Sequence, residues 1–311
     1  VSRALSGKGR IGEATRERIR SVADELGYRP NVVAHSLATN RTRSVGVVIH
    51  ERHRPFEGSF YNIVLEMVEA ELDRAGYQMV FSCLRRAALP RCVTERRVDA
   101  LVCLGTDFSD DLVRRLRSRM PVVLADNSIP GVDSVLGDNV GGARRAAEHL
   151  MQHGHTRVGF IAETLSDPSF RARMEGYGQA LEAQGLSGGM VFEGGRRRDS
   201  DRVAMRRLLA TNPVPTALVA ANDFMAAGAI TALVKTGYRV PQDVAVVSFD
   251  DGELATVVEP QLTSVRIDRA EMGALATRRV LELIAAPESP PLQYLLPTTL
   301  TIRASCGCNP D

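Results

Sequence analysis

From residue 45 onward, short apolar runs alternate with stretches of helical periodicity, and this alternation restricts the fold more than any other feature of the chain. The runs are 45–49 (VGVVI), 77–82 (YQMVFS), 99–104 (DALVCL), 121–125 (PVVLA), 157–162 (RVGFIA), 216–221 (TALVAA) and 243–249 (DVAVVSF). The predicted helices between them are 60–75, 109–119, 140–153, 170–184, 201–211, 223–236 and 268–285. Strands apolar on both faces and separated by helices belong to parallel sheets covered on both sides. The pattern also repeats. TRSVGVVI, an SF pair and a helix ending in Gly76 are echoed by TRVGFIA, a second SF pair and a helix ending in Gly185. Two similar α/β halves in tandem predict a bilobed body. Its cleft is expected to be lined by loops at the carboxyl ends of the strands.

The first 44 residues differ in kind. They hold nine Lys/Arg against four acids, a net +5, whereas the rest of the 311-residue chain is net −3. A basic arm on a slightly acidic body suits a polyanionic partner for the arm, or a solvated leader. Residues 13–26 predict a helix, with Ile19, Val22, Ala23 and Leu26 on one face, Gly27 as a left-handed stop and Pro30 beyond it. VSRALSGKG (1–9) reads as the end of another helix. One short helix and a stub cannot close a core alone. Because the first residue is Val, a preceding segment is expected. The stretch RPNVVAHSLATNRTRSVGVVI (29–49) then sets a six-residue helix, VVAHSL, on a polar tether before the first strand. A helix so short is not stable by itself in water.

Several classes are excluded or disfavoured. No run approaches the ~20 apolar residues of a membrane span, and no apolar signal segment is visible. Five cysteines (83, 92, 103, 306, 308) with uneven spacing argue against a disulfide framework and for a cytoplasmic setting. No GxGxxG follows a strand, and neither a P-loop nor a GxSxG elbow occurs, so the expectation is a non-enzyme without a cofactor. His149 and His153 stand at i, i+4 with His155 just beyond. Without an evident carboxylate or cysteine partner they read as helix-end histidines, and no metal is expected. The CGC at 306–308 reads as a flexible tail.

The whole segment VSRALSGKGRIGEATRERIRSVADELGYRPNVVAHSLATNRTRSVGVVI resembles the DNA-binding segment and hinge of the LacI/GalR (lactose-repressor) family of bacterial transcription regulators. GDNVGGARRAAEHLMQHGHTRVGFI (137–161), RMEGYGQAL (173–181), AANDFMAAGAI (220–230), VPQDVAVVSFDD (240–251) and PQLTSVR (260–266) are similar to its body motifs, in order. The resemblance implies two Rossmann-like lobes of the periplasmic-binding-protein type I, preceded by a helix-turn-helix that is incomplete here (1–29) and a hinge (30–44). It places the N-lobe at about 45–139 and 267–290 and the C-lobe at about 140–266 and 291–311. It implies that Asn31–Ala38 form a hinge helix in the minor groove, where Leu37 wedges between base pairs beside Asn31, Ala34 and His35. Ser2 and Arg3 match the recognition helix, and Arg41 and Arg43 are left to phosphates or solvent.

For the cleft, the same resemblance assigns effector contacts to Phe60, Tyr61, Arg173, Asn222, Asp223 and Asp250. Carboxylate, guanidinium and amide groups around an aromatic face suit a sugar. Asp223 has an equal reading as a helix cap, Asp250 one as a turn acid, and Asp138 and Asn139 are expected to hold a strand-to-helix crossing. Two departures stand out: 84–95 is shorter than the family pattern, and SFDD replaces the commoner GFDD. The implied function is a homodimeric, cytoplasmic repressor whose partners are operator DNA and a small-molecule effector. The competing expectation is a periplasmic sugar-binding protein, which calls for a signal peptide and no hinge.

Overall fold

The computed structural model describes residues 12–26, 41–51, 60–85, 88–186, 189–195 and 200–308. Twelve strands among them form two six-stranded sheets. In the N-lobe the order is β11-β5-β4-β3-β1-β2, with β1 Ser44–His50, β2 Gln78–Leu84, β3 Ala100–Leu104, β4 Val122–Ala125, β5 Asp133–Gly137 and β11 Gln293–Leu296. In the C-lobe it is β12-β10-β9-β8-β6-β7, with β6 Val158–Ala162, β7 Met190–Glu193, β8 Ala217–Ala220, β9 Ala245–Asp250, β10 Thr263–Ile267 and β12 Thr298–Thr301. Every described pairing is parallel except that of β12 with β10.

The helices are α1 Glu13–Glu25, α2 Tyr61–Arg74, the single turn α3 Arg91–Thr94, α4 Asp110–Arg117 and α5 Asn139–Gln152. They continue with α6 Pro168–Ala183, α7 Ser200–Leu209, α8 Asp223–Lys235, the short α9 Leu254–Val257 and α10 Arg269–Ala285. The helix between β2 and β3 is abbreviated, as the stretch 84–95 anticipates: it has four residues. On α1 the apolar stripe is half covered, with Ala23 buried but Val22 and Leu26 exposed.

The repeat seen in the sequence corresponds to a shared local design. Gly76 and Gly185 end α2 and α6 at φ +72° and +66°, a left-handed conformation that glycine adopts without penalty. The next residue then bonds back in both cases, Tyr77 N–H to Leu72 O at 2.9 Å and Leu186 N–H to Leu181 O at 3.0 Å. A second glycine sets a helix contact. A Cβ on Gly176 would lie 2.0 Å from Val140 O, so α5 and α6 pack backbone against backbone.

The chain passes between lobes three times, after β5, after β10 and after β11. Asp138 governs the first passage: its Oδ1 accepts the Gly141 N–H at 2.8 Å and caps α5. Asp268 caps α10 likewise, accepting the Glu271 N–H at 2.9 Å. The third corrects the expected lobe boundary. Residues 293–296 pair with β5 (Gln293↔Ser134, Leu296↔Gly137) and belong to the N-lobe, and only Pro297 separates them from β12 of the C-lobe. Arg279 of α10 supports this edge from within, donating to Asp133 Oδ1 at 2.7 Å and to Pro290 O at 2.7 Å.

The flexible tail expected at 306–308 is also corrected. Residues Ala304–Cys306 make a 3-10 turn, with Ser305 and Cys306 buried. The Ser305 hydroxyl donates to Val246 O at 2.6 Å and accepts the Thr263 N–H at 2.9 Å.

Candidate functional site

The carboxyl ends of both sheets meet at one cleft, and charged groups converge there. Arg173, one turn into α6, is 3% exposed. Its Nε donates to Asn139 Oδ1 at 2.8 Å, and its Nη1 donates to Ala221 O beyond β8. The guanidinium carbon stacks 3.8 Å from the Phe249 ring centroid and 5.7 Å from that of Phe170. Asp250, at the end of β9, brings Oδ1 to 3.0 Å from Arg173 Nη1, an ion pair rather than an aligned hydrogen bond. Asp250 and Asp251 both hold positive φ, +100° and +50°. Strained backbone of this kind in non-glycine residues costs of order 1–3 kcal/mol each and gathers at binding sites.

Asn222 and Asp223 divide the roles weighed for them. Asn222 is the cap of α8, its Oδ1 accepting the Met225 N–H at 2.9 Å. The cap reading of Asp223 is therefore corrected. Its buried carboxylate accepts from Ser248 Oγ (2.6 Å), Ser264 Oγ (2.9 Å) and the Gly252 N–H (2.7 Å). It thereby fixes the turn that presents Asp250. The serine that departs from the common motif is one of these donors. Burial, and then the charge of Asp250, push the Asp223 carboxyl up to about 6, against those hydrogen bonds. Asn139 supports Arg173, and Asp138 holds the crossing.

On the N-lobe side, Tyr61 opens α2 and is buried, its hydroxyl donating to Asp126 Oδ2 at 2.6 Å. Burial, and next the Asp126 charge, raise the Tyr61 phenol well above its ordinary value. Phe60 packs edge-on against Tyr61 and receives the Arg269 guanidinium 5.8 Å above its ring. Arg269 in turn donates to Asp251 O at 3.1 Å, spanning the lobes.

Five residues here were not picked out from sequence: Asp126, Thr106, Asp167, Ser169 and Arg269. The Ser169 hydroxyl donates to Asp126 Oδ1 at 3.2 Å, and Thr106 Oγ1 donates to Asp167 Oδ2 at 2.6 Å. Each bond runs from one lobe to the other, so the cleft is closed on itself. Asp126 is pushed up to about 6, chiefly by burial, with the Tyr61 bond and Arg173 opposing. A signal for it existed, since Asp126 directly follows β4, where the strand-end rule places ligand-facing loops. A depression of 580 Å³ bordered by Tyr177, Leu181 and Gly189 is lined by C-lobe residues and gathers no groups from the N-lobe.

A second feature joins the N-terminal tether to the body. Asp99, just before β3, accepts the Thr42 N–H (2.7 Å), the Thr42 hydroxyl (3.0 Å) and the Arg43 N–H (2.8 Å). The segment from which β1 starts is thus clamped to the N-lobe. Ser2, Arg3, Asn31, Ala34, His35 and Leu37 lie outside the described residues.

A two-lobed α/β body with a charged cleft and a clamped N-terminal tether defines a class of ligand-binding regulators, and comparison with known proteins agrees. Residues 147–306 match the periplasmic binding protein-like domain, and residues 1–31 match the bacterial regulatory proteins of the lacI family. The HTH-type transcriptional regulator CelR of Thermobifida fusca is 32% identical over 98% of this chain and 93% of its own length. The regulator GalS of Salmonella typhimurium is 33% identical over 91% and 85%, and the repressor PurR of Aliivibrio salmonicida 29% over 91% and 87%. Among solved structures, a CelR–cellobiose complex aligns with a TM-score of 0.76 at 31% identity, covering 98% of this chain and 94% of that one. The lac repressor dimer bound to operator and the anti-inducer ONPF aligns at 0.83 and 26%, with the same coverage. The chain belongs to the lacI family of bacterial regulatory proteins and is a DNA-binding transcription regulator that responds to a ligand. No described helix is long and apolar enough to cross a membrane.

Proposed function

We propose that the protein is a homodimeric repressor whose interlobe cleft binds a sugar and thereby controls operator binding. The observation that carries the reading is the Arg173–Asp250 pair, held by Asn139, Ala221 and two phenylalanine rings at the point where the lobes meet. A carboxylate beside a guanidinium accepts from and donates to adjacent hydroxyls, and Phe60 offers an apolar face to a pyranose ring. Tyr61, Asn222 and Asp223 shape this site from behind, through Asp126, the cap of α8 and the β9 turn. The CelR–cellobiose complex supports a carbohydrate as the ligand class.

A sugar that bridges the lobes in place of the Ser169–Asp126 and Thr106–Asp167 bonds changes the lobe angle. A ligand shifts such an equilibrium by its differential affinity for the two arrangements. Asp99 passes the N-lobe's movement to the tether. In the DNA-bound dimer, paired hinge helices enter the minor groove, Leu37 wedges between base pairs, Asn31, Ala34 and His35 line the groove, and Ser2 and Arg3 reach the major groove.

Fluorescence anisotropy of the full-length protein on a selected palindromic site and on scrambled DNA, at physiological salt, tests this function. The specific site should bind at least ~10³-fold more tightly. Leu37→Ala should lose most of that preference while its melting curve is unchanged. Equal binding to both DNAs, or an undiminished preference in Leu37→Ala, rules out the hinge mechanism.

A further inference from the structure

Residues 304–308 return to α5 and bring Cys308 to two histidines. His149 and His153 lie one turn apart, ring centroids 4.7 Å from each other. Cys308 Sγ is 3.5 Å from His149 Nε2 and 3.1 Å from His153 Nε2. One donor atom from each of the three lies within 4.8 Å of the others. A tetrahedral zinc ion with its usual bond lengths sets nitrogen and sulfur ligands about 3.6 Å apart, so these spacings need only small adjustment. Cys306, two residues earlier, is 3% exposed and accepts the Thr263 hydroxyl at 3.1 Å. His155 does not take part, because its Nδ1 pairs with Thr216 Oγ1 at 3.0 Å.

We propose that His149, His153 and Cys308 form a zinc site that fastens the C-terminal segment to α5. Two histidines a helical turn apart and one cysteine are ordinary zinc ligands, and three protein ligands leave the fourth tetrahedral position to water. The Cys308 thiol releases its proton on binding. The site is at the far end of the C-lobe from the cleft: α5 starts beside Arg173 and runs about 15 Å to the histidines. It acts on stability and not on effector contacts. It also gives Cys308 of the CGC motif and the histidine pair, which look unrelated in sequence, one purpose.

The test uses the reduced protein, stripped of metal and titrated with zinc, alongside Cys308→Ser, Cys306→Ser and the exposed-position variant His153→Gln. About one zinc per chain is expected to survive desalting in the wild type and none in Cys308→Ser. Zinc should raise the melting temperature of the wild type and of Cys306→Ser alike, less that of His153→Gln, and not that of Cys308→Ser. Cobalt substitution should give a tetrahedral spectrum with thiolate charge-transfer bands. Three results overturn the proposal: no retained zinc in the reduced protein, a zinc shift equal in wild type and Cys308→Ser, or cobalt bound without sulfur bands.

Discussion

Asp126 offers a quantitative test of the closed cleft, because its carboxyl is buried, joins both lobes and is raised to about 6. An unfolded chain ionises this carboxyl near 4. Between pH 4 and 6 the folded protein therefore holds a proton that the unfolded chain has lost. Stability from this group is complete below about pH 4 and falls as pH rises through 6. The loss across that window is about 3 kcal/mol. Asp126→Asn removes the titration while keeping the contacts. The amide oxygen can accept from the Tyr61 hydroxyl, and the amide nitrogen can donate to Ser169 Oγ. The variant should match the wild type at pH 4 and exceed it by about 1–3 kcal/mol at pH 8. Urea unfolding at half-unit pH intervals measures this, and the difference between the two proteins isolates Asp126 from Asp223, which titrates in the same direction. Parallel stability curves from pH 4 to 8 would refute the buried, charged latch.

Asp99→Ala should leave ligand binding in the cleft unchanged and cost only about 1–2 kcal/mol of stability, while the response of DNA affinity to ligand weakens. Anisotropy with ligand titration reads that response, and an intact one means the clamp on Thr42 and Arg43 transmits nothing. Gly176→Ala should lower the urea midpoint by the equivalent of about 1–3 kcal/mol or more, because its new methyl meets the Val140 carbonyl and not a movable side chain. A wild-type midpoint would show that α5 and α6 separate freely.

Much of the architecture could be read from the chain because buried parallel strands are apolar on both faces. All seven runs became strands, and the long helices lie within a few residues of their predicted limits. The strands that escaped notice carry polar residues for structural reasons. β5 begins with Asp133, whose charge is met by Arg279 from 146 residues away, and periodicity cannot reveal such a partner. β11 was assigned to the wrong lobe because its crossing is the single residue Pro297, too short to register as a boundary. In the cleft, the motif-borne Arg173 and Asp250 meet in an ion pair, whereas Ser169 and Thr106 matter only through contacts made by the opposite lobe. The tail was misread for a similar reason: the histidines that meet Cys308 lie 159 and 155 residues earlier, on and just beyond α5.

The central claim, that the Arg173–Asp250 cleft receives a sugar, is tested most directly by a thermal-shift screen of this chain against mono- and disaccharides, with Asp250→Asn measured beside the wild type. A ligand at a hundredfold excess over its Kd adds about 2.7 kcal/mol to the folded state. The account predicts a saccharide that raises the wild-type melting temperature and leaves that of Asp250→Asn unmoved. A panel silent throughout, or a shift undiminished in Asp250→Asn, would contradict it.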